Sequence, residues 1–213
     1  PNGPIRSAFG TSPNTTVRSS NAAQWFLPGG LGGLEGGVMV AAGEGGTAAN
    51  GQHKVMGGRL GWAGGGFNVS VASTTSENNL TTTGKFKDNA IGGSATLGSV
   101  RLSTAWRQFK QAGSKQTTML VGAVMRLGSG DLKASWVKVD MAGKVGTTVI
   151  DANDAQQLAL GYVHNLSKRT ALYAHFSRID NDGAATYVVP GGAAGIAGGK
   201  TSTGYEFGLR HNF

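Results

Sequence analysis

Arg18, Arg59, Arg101 and Arg107 are the residues of this sequence with the clearest capacity to act on something. Each falls on the polar phase of a stretch in which polar and apolar residues alternate, and Lys133 does the same in its own stretch. A guanidinium keeps its charge at any relevant pH. Several cations sharing a confined, partly dehydrated space would concentrate anions there and repel cations. The acids expected on the same phase are Glu35 and Glu206, too few to neutralise the set.

Other chemistries have weaker support. His53, His164, His175 and His211 show no metal-ligand spacing, so no metal site is expected. The stretch AGIAGGKT (194–201) loosely matches a phosphate loop, but that chemistry needs a following helix whose N-terminus holds the phosphate. Here a strand-like stretch follows instead. No Ser-His-acid set stands out, and no cofactor or catalytic residue is expected. Basic residues and aromatics alternate onto opposite faces, whereas a nucleic-acid surface would need them together.

The 213 residues contain 37 glycines, 5 prolines and no cysteine, so neither a disulfide framework nor a thiolate metal site is available. With 19 basic against 11 acidic residues the net charge is +8, which points to anionic partners or solutes. No apolar run is long enough for a transmembrane helix. The start, PNGPIRSAFG, lacks the form of a signal peptide. The chain is therefore expected to be mature, cytosolic, or to begin partway through something larger.

The elements that must position the arginines are strands. In Thr203–Phe213, Tyr205, Phe207, Leu209 and Phe213 alternate with Gly204, Glu206, Gly208 and Arg210. The same two-residue rhythm runs through Val17–Leu27, Leu34–Ala42, Gln52–Trp62, Phe67–Thr74, Asp88–Leu97, Val100–Phe109, Leu132–Met141, Gln156–Leu166 and Thr170–Ile179. Gln116–Leu127 is a further strand whose inside and outside the pattern leaves open. Residues 1–16 read as a loop. These are about eleven strands of roughly ten residues, the length an inclined strand needs to cross a bilayer. Short turns and long loops alternate, as expected where turns gather at one side of a membrane and loops at the other. Backbone groups in lipid must all be paired, which a closed barrel achieves. Trp25, Trp62, Trp106, Trp136, Tyr162, Tyr205 and Phe213 are expected at strand ends as interfacial girdles. The fold expected is all-β, a transmembrane antiparallel up-and-down barrel.

The stretch LALGYVHNLSKRTALYAHFS (158–177), the ending GYEFGLRHNF and the segment VRSSN (17–21) resemble the trimeric general porins of the Gram-negative outer membrane. The likeness is greatest to the anion-selective porins of Comamonas/Delftia-type β-proteobacteria. That resemblance implies a sixteen-stranded barrel. Residues 17–213 would be its C-terminal strands, and residues 1–16 the tail of the inward-folded constriction loop. The remaining N-terminal strands of the same barrel would then be a required partner.

The resemblance further implies a homotrimer in the outer membrane, in contact with lipid and lipopolysaccharide, passing small hydrophilic solutes with a preference for anions. It makes Arg18 a member of the constriction arginines, hence the strongest contributor to selectivity, and Phe213 the signal read by the barrel-assembly machinery. Two other classes fit the residues alone. One is an outer-membrane barrel enzyme or adhesin acting through its long loops, and the other a soluble basic β-protein that binds polyanions. Detergent dependence separates the second of these from a membrane barrel, and single-channel conductance separates the first from a pore.

Overall fold

Alternation every two residues builds one large antiparallel sheet. The computed structural model describes residues 21–43, 54–77, 85–192 and 195–213. Its strands are β1 (Ala22–Phe26), β2 (Leu34–Ala41), β3 (Val55–Gly64), β4 (Phe67–Ser76), β5 (Phe86–Leu97), β6 (Val100–Gln111), β7 (Ser114–Leu127), β8 (Gly130–Val145), β9 (Thr148–Val149), β10 (Ala155–Asn165), β11 (Thr170–Asn181) and β12 (Ser202–His211). They pair in the order β1-β2-β3-β4-β5-β6-β7-β8-β10-β11-β12, and β9 pairs only with β8. Among the described residues β1 and β12 do not pair with each other, so the sheet is open.

Most strands run slightly past their expected ends. Ala112 takes a left-handed φ of 47°, which closes a tight turn and draws Gln111, Ser114 and Lys115 into the ladder where a loop was expected. Likewise β8 continues to Val145 and turns back through β9, inside the stretch expected to be loop. Of the expected strand Val17–Leu27, Ala22–Phe26 is a strand, whereas residues 17–20, and residues 1–16 before them, lie outside the described residues.

The connections sort by end. Residues 27–33, 65–66, 98–99, 128–129 and 166–169 turn at one end of the sheet. Residues 42–54, 77–85, 112–113, 146–154 and 182–201 connect at the other, and all but 112–113 are longer. We call these the short-turn and long-loop ends.

Register separates the two faces cleanly. One cross-strand row reads Leu60, Val71, Ile91, Trp106, Met119, and another Val121, Trp136, Leu158. Further round, Leu160, Phe176 and Tyr205 line up, followed by Ala174 beside Phe207 and Leu172 beside Leu209. These side chains are largely exposed, Phe207 at 79% and Leu60 at 50%, so the sheet presents a continuous apolar face to its surroundings. This settles β7, where Met119 and Val121 lie on the apolar face and Thr118 and Val124 on the other.

Towards the long-loop end the apolar face changes character. Two residues beyond Ile91–Trp106–Met119, the row becomes Ser73, Asn89, Gln108, Thr117. Here Ser73 Oγ donates to Asn89 Oδ1 at 2.7 Å. Two residues further, Lys87, Lys110 and Lys115 stand directly opposite one another on β5, β6 and β7. Trp106 and Trp136 therefore mark the border of the apolar band in mid-strand, rather than a strand end, because the strands continue past it. Trp25 and Trp62 do lie close to strand ends, and the Trp62 indole donates to the Gly32 carbonyl in the first short turn at 3.0 Å.

The main packed core sits on the polar face. The connection after β11 folds back so that Ala185, Tyr187 and Val189 pack with Val139, Met141, Ile150, Ala155 and Ile179. Buried Asn181 fixes it: its amide donates to the carbonyls of Tyr187 and Lys200, and its carbonyl oxygen accepts from the Tyr187 amide. Ser202 Oγ accepts from the Val189 amide at 3.2 Å.

Candidate functional site on the polar face

Arg59, Arg101, Arg107 and Lys133 share the polar face. Arg59, Ala72, Ala90 and Arg107 form one cross-strand row on β3 to β6, and Arg101, Val124 and Lys133 form another on β6 to β8. Their surroundings differ. Arg59 meets Glu35 at 3.0 Å. Arg107 makes a two-pronged pair with Asp88, its Nε donating to Oδ1 at 2.9 Å, and stacks over the Phe109 ring at 4.6 Å from its centroid. A forked pair of this kind fixes the guanidinium in place. Arg101 donates to the Ser94 hydroxyl at 3.1 Å. Among the described residues, no carboxylate lies within ion-pair distance of Arg101, Lys133 or Arg210.

The expectation that Glu35 and Glu206 are nearly alone among acids on this face is therefore corrected. Asp88 and Asp131 share it, and Asp131 pairs with Arg126 at 3.4 Å. Both acids stand at strand starts. β5 begins at Phe86 and β8 at Gly130, each two residues before its expected start. The signal was available: Asp88 is an even number of residues from Ser94, and Asp131 from Lys133.

Beyond Lys133 the row continues through Gly161 and His175 to Glu206. A side chain at Gly161 would come within 2.5 Å of the His175 ring, so glycine lets the imidazole lie across the β10 backbone. His175 Nδ1 is 3.7 Å from a Glu206 oxygen. Alongside runs a row of small residues, Gly122, Ser135, Ala159, Ser177 and Gly204. With Val189 and Pro190 above, these residues line a recess of about 510 Å³.

A family model of Gram-negative porins matches residues 2–184. The chain belongs to the Gram-negative porin family. Over 62 residues this porin is 45% identical to outer membrane porin protein 32 of Delftia acidovorans, a match that takes in 28% of the chain and 18% of that protein. Its structure is similar to the anion-selective porin from Comamonas acidovorans, with a TM-score of 0.74 and 26% identity, covering 92% of this chain and 60% of that one. It also shares its fold with OmpT of Vibrio cholerae in its trimer form, with a TM-score of 0.68 at 11% identity, covering 98% and 68%. The chain thus spans less than two thirds of the Delftia and Comamonas proteins.

This porin is accordingly an outer-membrane β-barrel protein. In such barrels the apolar parity faces lipid and the other parity faces the interior. Of the predicted site residues, Arg59, Arg101, Arg107 and Lys133 stand on the non-apolar face. Arg18 lies outside the described residues. Phe213 follows β12 at the short-turn end, far from the others, with its ring edge-on to His211 at 4.9 Å between centroids. Asn181 and Tyr187, which hold the folded-back connection, were missed. The only hint was the apolar run Tyr187-Val188-Val189 within a Gly/Ala-rich loop.

Proposed function

We propose that this porin forms part of a passive diffusion channel whose water-filled interior prefers small anions, working as a homotrimer and carrying out no covalent chemistry. The observation that supports it is the charge of the polar face. The strand residues Arg59, Arg101, Arg107, Arg126, Lys133 and Arg210 stand there against Glu35, Asp88, Asp131 and Glu206. Fixed cations left without counter-charge in a narrow aqueous path favour anion entry. The anion selectivity of the Comamonas protein and the trimer form of the Vibrio protein agree with this reading.

The same proposal assigns the rest of the barrel. The described strands complete a sixteen-stranded wall together with N-terminal strands, and residues 1–16 end the constriction loop. The lysine row on β5 to β7 suits the anionic headgroups of outer-leaflet lipid and lipopolysaccharide. Lysines at that height, beyond a polar row and an apolar band, meet phosphates without entering the hydrocarbon.

The test is the zero-current potential of the full-length protein in a planar bilayer under a salt gradient. The wild type gives an anion-selective sign, and Arg18→Glu moves it toward cations further than Arg107→Glu does. A cation-selective wild type refutes the preference. An Arg18→Glu variant with unchanged potential refutes the constriction assignment.

A further inference from the structure

His175 stands on the polar face between an ammonium and a carboxylate. The order along its cross-strand row is Lys133, Gly161, His175, Glu206. The Nε2 edge of the imidazole lies over Gly161, and the Nδ1 edge faces Glu206 at 3.7 Å. Tyr173, one step towards the short-turn end, stacks its ring on the imidazole at 5.4 Å between centroids. A side chain at Gly208 would come within 2.5 Å of the Tyr173 hydroxyl, so glycine there makes room for the phenol as Gly161 does for the imidazole. The ring is thereby held in the orientation that points a proton on Nδ1 at the carboxylate. The side chains of His175 and Glu206 are 41% and 65% exposed, so the proton exchanges with solvent and the charge is felt by ions nearby.

Few other charges face the imidazole. On β11 itself the titratable neighbour is Tyr173, whose hydroxyl also faces Glu206. On β12 it is Glu206, with Arg210 four residues further along the same face. The polar face of β10 offers Gln157, Ala159, Gly161 and Val163, and the folded-back connection Val189 and Pro190, all uncharged. Beyond Gly161, β8 contributes Lys133, and the Asp131 next to it is paired with Arg126. His164 and His211 belong to the apolar face, their Nδ1 atoms 3.2 Å from the Tyr162 hydroxyl and 2.9 Å from that of Thr170. His53 lies outside the described residues. Among the described residues, then, His175 is the only histidine on the polar face.

We propose that His175 is a selectivity-determining residue whose charge follows pH: a proton taken up by its imidazole cancels Glu206 and leaves Lys133 unopposed, so the wall prefers anions more strongly in acid. The inference rests on the reading of the polar face as a channel wall. With a neutral imidazole, Lys133 and Glu206 sum to zero for a passing ion. With an imidazolium the same row carries one positive charge. Histidine changes charge between about pH 5 and pH 8, whereas carboxylates do so near pH 4. The arginines of the wall keep their charge throughout. A response confined to mildly acid conditions therefore reports the imidazole.

The experiment is the zero-current potential of the full-length protein in a planar bilayer, under one fixed salt gradient, at about pH 8 and at about pH 5.5. In the wild type the anion-to-cation permeability ratio rises about two-fold on acidification, the size expected of one unit charge about 10 Å from the ion path in salt solution. His175→Gln cannot take up the proton and loses the rise. Glu206→Gln removes the opposing charge, so at the alkaline value it already shows about the ratio that the wild type reaches in acid. A wild-type ratio equal at both pH values overturns the proposal, as does a rise that persists in His175→Gln. If His175→Gln does not assemble, Glu206→Gln decides: an alkaline ratio equal to that of the wild type overturns the proposal. The reading of the wall fails separately. A cation-selective wild type that still moves toward anions in acid, with the movement lost in His175→Gln, overturns the anion preference and leaves the role of His175 standing. An anion-selective wild type that ignores pH does the reverse.

Discussion

Arg107 and Lys133 stand on the same face of the sheet in opposite circumstances, one locked to Asp88 and one with no carboxylate in ion-pair range among the described residues. A passing ion feels the sum of nearby charges, so a matched pair contributes little beyond its own dipole. Replacing Arg107 and Asp88 together by alanine is expected to leave the zero-current potential nearly unchanged, whereas Arg107→Ala alone shifts it toward cations. A double variant that shifts as far as the single one would show that the pair is not neutral in the assembled channel. The parity of each arginine was legible from its neighbours, since two-residue alternation assigns faces directly. The pairing follows from which residues stand opposite across the ladder. The two-residue turn 98–99 sets Leu97 opposite Val100 and so Asp88 beside Phe109, diagonal to Arg107. The expected strand ends already contained that register, although face assignment alone does not state it.

The connection after β11 shows what an element-level pattern omits. Its glycines and alanines read as a loop, and nothing in its periodicity says that it returns to the sheet. What folds it back is the burial of Tyr187 and Val189, with Asn181 satisfying backbone groups that would otherwise be buried without partners. Leaving such groups unpaired costs about 1–3 kcal/mol each. Asn181→Ala should therefore free the connection, seen as faster proteolysis within residues 182–201. A cleavage rate equal to wild type would show that apolar packing suffices. The Tyr187 phenol is pushed up to about 12, first by burial and then by the nearby Asp154 carboxylate. A raised pKa means that the neutral phenol is the form that packs. Its contribution is complete below the ordinary value of about 10 and is lost as pH rises through about 12. The same cleavage should thus accelerate in that alkaline window in the wild type, and Tyr187→Phe, which cannot ionise, should not show the acceleration.

At the scale of the molecule, the strand pattern and the sorting of connections by end carried the fold, because a lipid-facing sheet must repeat one rule along every strand. That repetition is why an all-β antiparallel sheet was readable from single stretches. A count of about eleven strands against the sixteen implied by the resemblance already led to the expectation of unpaired edges, which β1 and β12 are among the described residues. Phe213 belongs to this scale, since its ring lies beyond the last rung and touches His211 rather than the polar face. Deleting it is expected to lower the amount of protein reaching the outer membrane while leaving the conductance of assembled channels unchanged. Normal membrane levels after the deletion would remove it from any part in assembly.

The row Lys87, Lys110, Lys115 gives the rim a response to ionic strength opposite to that of the rest of the sheet. Like charges directly opposite one another across strands repel. The repulsion is unrelieved within the row, since Asp140, two residues nearer the apolar band, stands opposite Thr117 instead. Mobile ions relax such repulsion as the screening length shortens, while they weaken exposed pairs such as Arg59 with Glu35. Hydrogen exchange at the long-loop ends of β5 to β7 should therefore slow in concentrated sodium chloride, and that corner of the sheet should be held more firmly in brine than in dilute buffer.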